Sequence, residues 1–204
     1  MLDQVYVALL HYPCLGRQGQ IISTAVTNVD VHDIARTCRT YEIARYYMVT
    51  NLPAQQEIIR RVIRYWTTGK GKDYNPNRCK ALSYVCLKPY WEEVIEDIQQ
   101  RTGKKPLVVF TSAKHRDNGT TFEYMRERIQ EEKKPIIVLF GTGWGLADEV
   151  MVQCDYALEP VRARASFNHL SVRSAVSIIL ERLIGERVPY DENHTGGKEI
   201  CQTH

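Results

Sequence analysis

At 204 residues the chain is long enough for one sizeable α/β domain and short for two. Lys and Arg (27) barely outnumber Asp and Glu (24), and a net charge of +3 is compatible with a nucleic-acid partner without arguing for one. Apolar runs such as 107–110 and 136–140 are far too short to cross a bilayer, and the opening MLDQVYVALLHYP lacks the cationic start of an export signal. A cytoplasmic protein with no membrane association is therefore expected. Cys14, Cys38, Cys79, Cys86, Cys154 and Cys201 form no CxxC and no Cys/His cluster, which predicts free thiols and no metal site.

In chain order, residues 5–10 are the first strand-like run. Val31, Ile34, Ala35 and Cys38 then recur at helical spacing over 31–41, with Asp30 placed to cap that helix. A strand is expected at 46–49. Pro53 opens a helix whose Ile58, Ile59, Val62, Ile63 and Trp66 make an apolar stripe, proline being well tolerated at a first helical position. Residues 67–80, TTGKGKDYNPNRCK, read as a loop. There follow a strand-like segment at 81–87, a helix at 90–100 stopped by Gly103, and a buried strand at 107–111. The polar stretch 113–121 leads into a helix at 122–131 and a buried strand at 136–140. After a glycine turn come a helix near 148–153, a short strand at 156–158 and a closing helix at 171–184. Strands that are apolar throughout, alternating with helices, predict an α/β fold with a mostly parallel sheet covered on both faces. Residues 1–185 form the expected domain, and 186–204 a polar tail without apolar periodicity.

The stretch 136-IIVLFGTGWGLADEV-150 runs a buried strand into a turn with Gly141, Gly143 and Gly145. Turns at the carboxyl ends of parallel strands present backbone amides to ligands. G-x-G-x-G is neither the dinucleotide spacing nor a P-loop, since no Gly-Lys-Ser/Thr follows. Trp144 and Leu146 add apolar surface, which suits an adenine ring or a methionine chain better than a pyrophosphate. The plain alternative is a tight strand-to-helix turn that binds nothing.

Downstream, 155-DYALEPVRARASFNHLSVRSAVSIILERL-183 gives a short strand, a proline, a polar loop and Asn-His-Leu-Ser-Val opening a helix. Together with the glycine turn, this order resembles the two C-terminal motifs of the SPOUT superfamily of S-adenosylmethionine-dependent RNA methyltransferases. The segment 29-VDVHDIARTCRTYEIARYYMV-49 is similar to the SpoU-type first motif, with Ile-Ala-Arg-Thr on a helix before a strand. Along nearly all of 1–185 the chain resembles a small bacterial family of stand-alone enzymes of this type. The resemblance implies a C-terminal trefoil (α/β) knot, against the usual rule that connections do not thread loops. It implies S-adenosylmethionine as cofactor, rRNA or tRNA as substrate, and a homodimer with the active site near the subunit interface. A knotted RNA-binding protein without efficient turnover is the alternative, and a doubly wound protein binding another nucleotide is a third.

Carried onto this chain, the cofactor would be held by Thr111, Ser112 and Ala113, by Gly141, Thr142, Gly143, Trp144, Gly145 and Leu146, and by Leu158, Pro160, Val161 and Arg162. His169, Leu170 and Ser171 would complete the pocket. Arg36 occupies the place of the catalytic first-motif arginine, and Asn168 is the second catalytic candidate. A guanidinium stays protonated, so Arg36 suits phosphate or oxyanion positioning rather than proton removal. The SpoU motif carries Asn six residues before that arginine, where this chain has Asp30, and the Asn168–Ser171 spacing is one residue longer than usual. Both departures leave ribose 2′-O and base-N methylation open. Asn168 before a helix could equally be a cap. His169 is a candidate proton shuttle, and Glu159 a candidate partner for an arginine across the pocket. Lys70, Lys72 and Arg78, beside Tyr74, suit single-stranded RNA. Lys114, Arg164 and Arg173 are further candidates for RNA phosphates, or plain solvated charge.

Overall fold

The computed structural model describes residues 4–116, 119–162, 164 and 167–186. Its main sheet has six strands: β1 (Val5–Leu10), β4 (Arg45–Val49), β5 (Val85–Lys88), β6 (Leu107–Phe110), β7 (Ile136–Gly141) and β8 (Tyr156–Ala157). They lie in the order β5-β4-β1-β7-β6-β8, and every pairing is parallel. All six residues of β1 are buried, because successive side chains feed two different cores. Val5, Val7 and Leu9 face a core shared with α1 (Asn28–Thr40), α6 (Phe122–Glu131) and α8 (Val172–Ile184). Tyr6, Ala8 and Leu10 face the opposite core with α5 (Trp91–Thr102) and α7 (Asp148–Met151). The remaining helices are α2 (Pro53–Thr67), α3 (Gly71–Tyr74) and α4 (Pro76–Leu82).

Several local readings hold to the residue. Pro53 begins α2, α6 spans the expected 122–131, and α5 ends at Gly103, whose φ of +72° is a left-handed C-cap. Others are corrected. Helix α1 starts earlier than expected and is capped by Thr27, whose hydroxyl accepts from Asp30 N at 3.3 Å. Asp30 is not the cap but its reciprocal partner, taking the Thr27 hydroxyl proton at 2.5 Å. The segment 67–80 is not a loop. It contains α3 and the start of α4, the latter capped by Asn75, which accepts from Arg78 N at 2.9 Å. Ala81 and Leu82 belong to α4, so β5 begins four residues later than the apolar pattern indicates. The hairpin of β2 (Cys14–Leu15) and β3 (Ile21–Ile22) was not foreseen, since two-residue strands carry no readable period.

Strand β8 has neighbours on both sides. Asp155 N and Leu158 N donate to Val108 O and Phe110 O on the β6 side, both at 2.9 Å. On the other side Thr120 N donates to Ala157 O (2.7 Å) and Glu159 N to Thr120 O (2.9 Å). The chain at 157–159 therefore runs between β6 and the segment that leads into α6. The expected polar tail lies, from residue 187 on, outside the described residues.

Candidate functional site

Because all six strands run the same way, the loops after β6, β7 and β8 open on one edge of the sheet. Thr111 is stitched to β7, its amide and its hydroxyl both donating to Leu139 O at 3.0 Å. Ser112 Oγ accepts from Lys114 N (3.1 Å), shaping the turn and leaving Lys114 exposed. Asn168 Nδ2 donates to Ala113 O at 3.2 Å, which ties the loop after β8 to the loop after β6.

The glycine turn is less bare than its sequence indicates. Gly143 (φ +61°) and Gly145 (φ +113°) are left-handed, as glycine allows. The β2–β3 hairpin packs on the turn: Trp144 N donates to Leu15 O, Leu15 N to Gly145 O, and Ala147 N to Pro13 O. A Cβ at Gly143 would stand 3.0 Å from Leu15 O, and one at Gly141 2.9 Å from Leu146 N. These two glycines let chain approach chain. Leu146 is buried in the core beneath the turn, while Trp144 is 58% exposed at its rim. Gly145 N is spent on Thr142 O. The amides of Gly143 and Leu146 meet no backbone acceptor among the described residues.

Beneath the turn lies a polar network that the sequence reading missed. Thr142 Oγ1 donates to Leu10 O at 3.0 Å, contacts the Thr24 hydroxyl, and stands 3.5 Å from Cys14 Sγ. Thr24 Oγ1 is 2.9 Å from His11 Nδ1. His11 is 1% exposed, and burial pushes its imidazole down to about 4, with Asp30 opposing. It is therefore neutral at physiological pH. Its place immediately after the first strand was the available signal.

The third loop mixes packing with exposure. Leu158 and Pro160 are buried, Val161 packs against the core, and Arg162 and Arg164 are exposed. Among the described residues Glu159 pairs with no arginine; its Oε1 accepts from Phe122 N (2.8 Å), completing the first turn of α6. His169 lies against Phe167, with ring centroids 5.1 Å apart. Leu170 is exposed, and Ser171, the residue before α8, shares a hydroxyl contact of 2.9 Å with Ser174.

Arg36 stands elsewhere. It lines a groove of about 540 Å³ on the α1–α8 face with Asp33, Thr37, Tyr41, Arg173 and Ser177. Arg173 in that groove pairs with Asp30 (3.3 Å) and Asp33 (3.8 Å). Asn168 thus reaches the loop after β6, while Arg36 lines the α1–α8 groove, which also holds Ser174, the hydroxyl partner of Ser171. Lys70 and Lys72 are exposed around α3, and Arg78 lies over the Trp66 ring, 4.4 Å from its centroid. No group of three or more His, Cys, Asp or Glu among the described residues can hold a metal ion. No described helix is long and apolar enough to cross a membrane.

The donor set of the three loops fits S-adenosylmethionine. That compound carries no phosphate, so it is held by neutral hydrogen-bond donors and apolar walls rather than by an anion cradle. Among the described residues the amides of Gly143 and Leu146 meet no acceptor, and apolar side chains pack below. Comparison with known proteins agrees. A family profile described as SAM-dependent RNA methyltransferase matches residues 4–185. An uncharacterised protein of Aquifex aeolicus is 43% identical over 181 residues, covering 89% of this chain and 88% of its own. A protein of Oleidesulfovibrio alaskensis named tRNA (guanine-N(1)-)-methyltransferase is 41% identical over 182 residues; this chain spans only 42% of its length. The SpoU methyltransferase AviRb of Streptomyces viridochromogenes, solved in complex with AdoMet, superposes with a TM-score of 0.54 at 16% identity, over 90% of this chain and 58% of that one.

Proposed function

This chain belongs to the family of SAM-dependent RNA methyltransferases, and we propose that its three strand-end loops hold the cofactor while a second copy supplies Arg36. The observation that carries this reading is the Asn168–Ala113 hydrogen bond, which closes the loop after β8 onto the loop after β6 beside the glycine turn. S-adenosylmethionine supplies a methyl group already activated on a sulfonium. What remains for the protein is alignment of the RNA nucleophile and management of its proton. The amides of Gly143 and Leu146 orient the cofactor's polar edges, and Thr111–Ala113, Leu158–Arg162 and His169–Ser171 enclose it.

Arg36 keeps its charge throughout and positions a phosphate or a developing oxyanion. In a homodimer the exposed α1–α8 groove is the face offered for pairing, and it would carry Arg36 to the partner's loops. In this reading residues 1–185 act as one cytoplasmic domain whose C-terminal segment threads the loop between β6 and α6. The bracketing of residues 157–159 on both sides supports that threading. The substrate is tRNA or rRNA, the name of the Oleidesulfovibrio relative favouring tRNA.

Calorimetry should show binding of S-adenosylmethionine and none of ATP; the reverse overturns the pocket assignment. Labelled cofactor incubated with total RNA should label RNA, and a protein that binds cofactor but labels no RNA from several sources would be a binding module instead. Mixing Arg36→Ala and Asn168→Ala proteins, each impaired alone, should restore part of the activity. No recovery in exchanging dimers means that each site is built from one copy.

A further inference from the structure

A second cleft, of about 460 Å³, opens between α1, α2 and α4 and shares no residue with the three strand-end loops. Its walls are aromatic and charged, with Arg61 and Arg78 outnumbering Asp33. Tyr65 and His32 stand edge-on to the Trp66 ring, at 5.1 and 5.8 Å between centroids, and the Arg78 guanidinium covers that ring at 4.4 Å. Helix α3 presses on this cluster. A Cβ at Gly71 would meet the Trp66 ring at 2.6 Å and the Tyr65 ring at 2.9 Å, so the aromatics are held in place. Tyr65 nevertheless remains 52% exposed.

The polar groups of the cleft are incompletely engaged within the protein. His32 Nδ1 is buried without a hydrogen-bond partner among the described residues. Burial lowers the His32 pKa, as do the nearby Arg78 and Arg36 charges. Among the described residues Arg61 is engaged only by Glu57, four residues earlier in an exposed pair that a phosphate can displace. A clamped, open phenol ring beside two guanidinium groups is a surface built for a π-face carrying negative charge.

We propose that this cleft binds one unpaired nucleotide of the RNA, its base stacked on Tyr65, its phosphate held by Arg61 and Arg78, and its polar edge or 2′-hydroxyl met by His32. The proposal rests on the RNA reading above and adds a contact outside the methyl-transfer site. The aromatic component favours nucleic acid over an acidic peptide, which would use the arginines alone.

The test is ultraviolet crosslinking of a short single-stranded oligoribonucleotide carrying 4-thiouridine, with the attached peptide mapped by mass spectrometry. Crosslinks should fall on the peptide holding Tyr65 and Trp66. Tyr65→Ala should weaken oligonucleotide binding about tenfold, and Tyr65→Phe should restore it. Arg61→Ala combined with Arg78→Ala should flatten the salt dependence of binding. Melting curves would show that these half-exposed substitutions leave the fold intact, and cofactor binding should not change. Crosslinks confined to other surfaces, unaltered affinity in Tyr65→Ala, or displacement of the RNA by a poly-glutamate peptide in Tyr65→Ala and the parent alike would overturn the proposal. A parent protein that binds the oligonucleotide at Tyr65 but methylates no RNA counts against the catalytic reading alone.

Discussion

The glycine turn and the Trp66 cleft look alike in sequence, each a cluster of glycines between regular elements, and they use those glycines for a shared purpose. In the turn, Gly141 and Gly143 let the β2–β3 hairpin and Leu146 approach the backbone. In the cleft, Gly71 lets α3 lie against two aromatic rings. The difference is in what is left over. The turn keeps two unspent amides and an exposed Trp144, a neutral lining, whereas the cleft keeps an open phenol and two guanidinium groups. A glycine-rich stretch reports that something comes close to the backbone; whether that is the chain or a ligand is a separate question.

Substitutions can sharpen this contrast. The largest effect is expected from Gly143→Val, which forces a β-branched residue to φ +61° and drives its Cβ onto Leu15 O. We expect a loss of about 3 kcal/mol or more in thermal unfolding, with cofactor binding abolished. Gly145→Ala, with nothing within 4 Å of its Cβ, should cost only the backbone strain, about 1–2 kcal/mol. Equal losses at the two positions would mean that hairpin packing is not what Gly143 provides.

The network under the turn predicts a pH dependence. His11 is held well below its ordinary value in the folded protein, so the unfolded chain binds the proton more readily. Stability should therefore be full above about pH 6.5 and fall as the pH drops toward 4, by up to about 3 kcal/mol from this residue. Denaturant titrations across that range check it, and His11→Gln should flatten the slope. Thr142→Val removes the donor to Leu10 O and should cost about 1–2 kcal/mol. Smallest is Asn168→Ala, where losing one hydrogen bond should weaken S-adenosylmethionine about fivefold while leaving oligonucleotide binding at Tyr65 untouched.

How much of this was legible follows from the range of each interaction. Helix α6 and the Gly103 stop were readable because periodicity and caps act within four residues. Asp30 was misplaced because Thr27 competes for the same cap, and only the geometry shows which side chain sits outside the helix. Segment 67–80 was misread because its loop-forming residues are also those that start short helices, Asn75 and Pro76 among them. Motif order singled out Arg36 and Asn168 as candidates, but not the groove that the first lines or the hydrogen bond that the second makes to Ala113.

By itself the sequence determined the alternation of buried strands and helices, and with it a parallel sheet whose loops gather at one edge, because burial on both faces writes apolar residues at every strand position. Tertiary structure alone decided which glycines face the chain and which face solvent. It also decided that Thr142 is joined to His11 through Thr24, across 131 residues, and that Arg36 lines a groove with residues of α8. Those outcomes depend on contacts between segments far apart in the chain, and such contacts leave no local period to read.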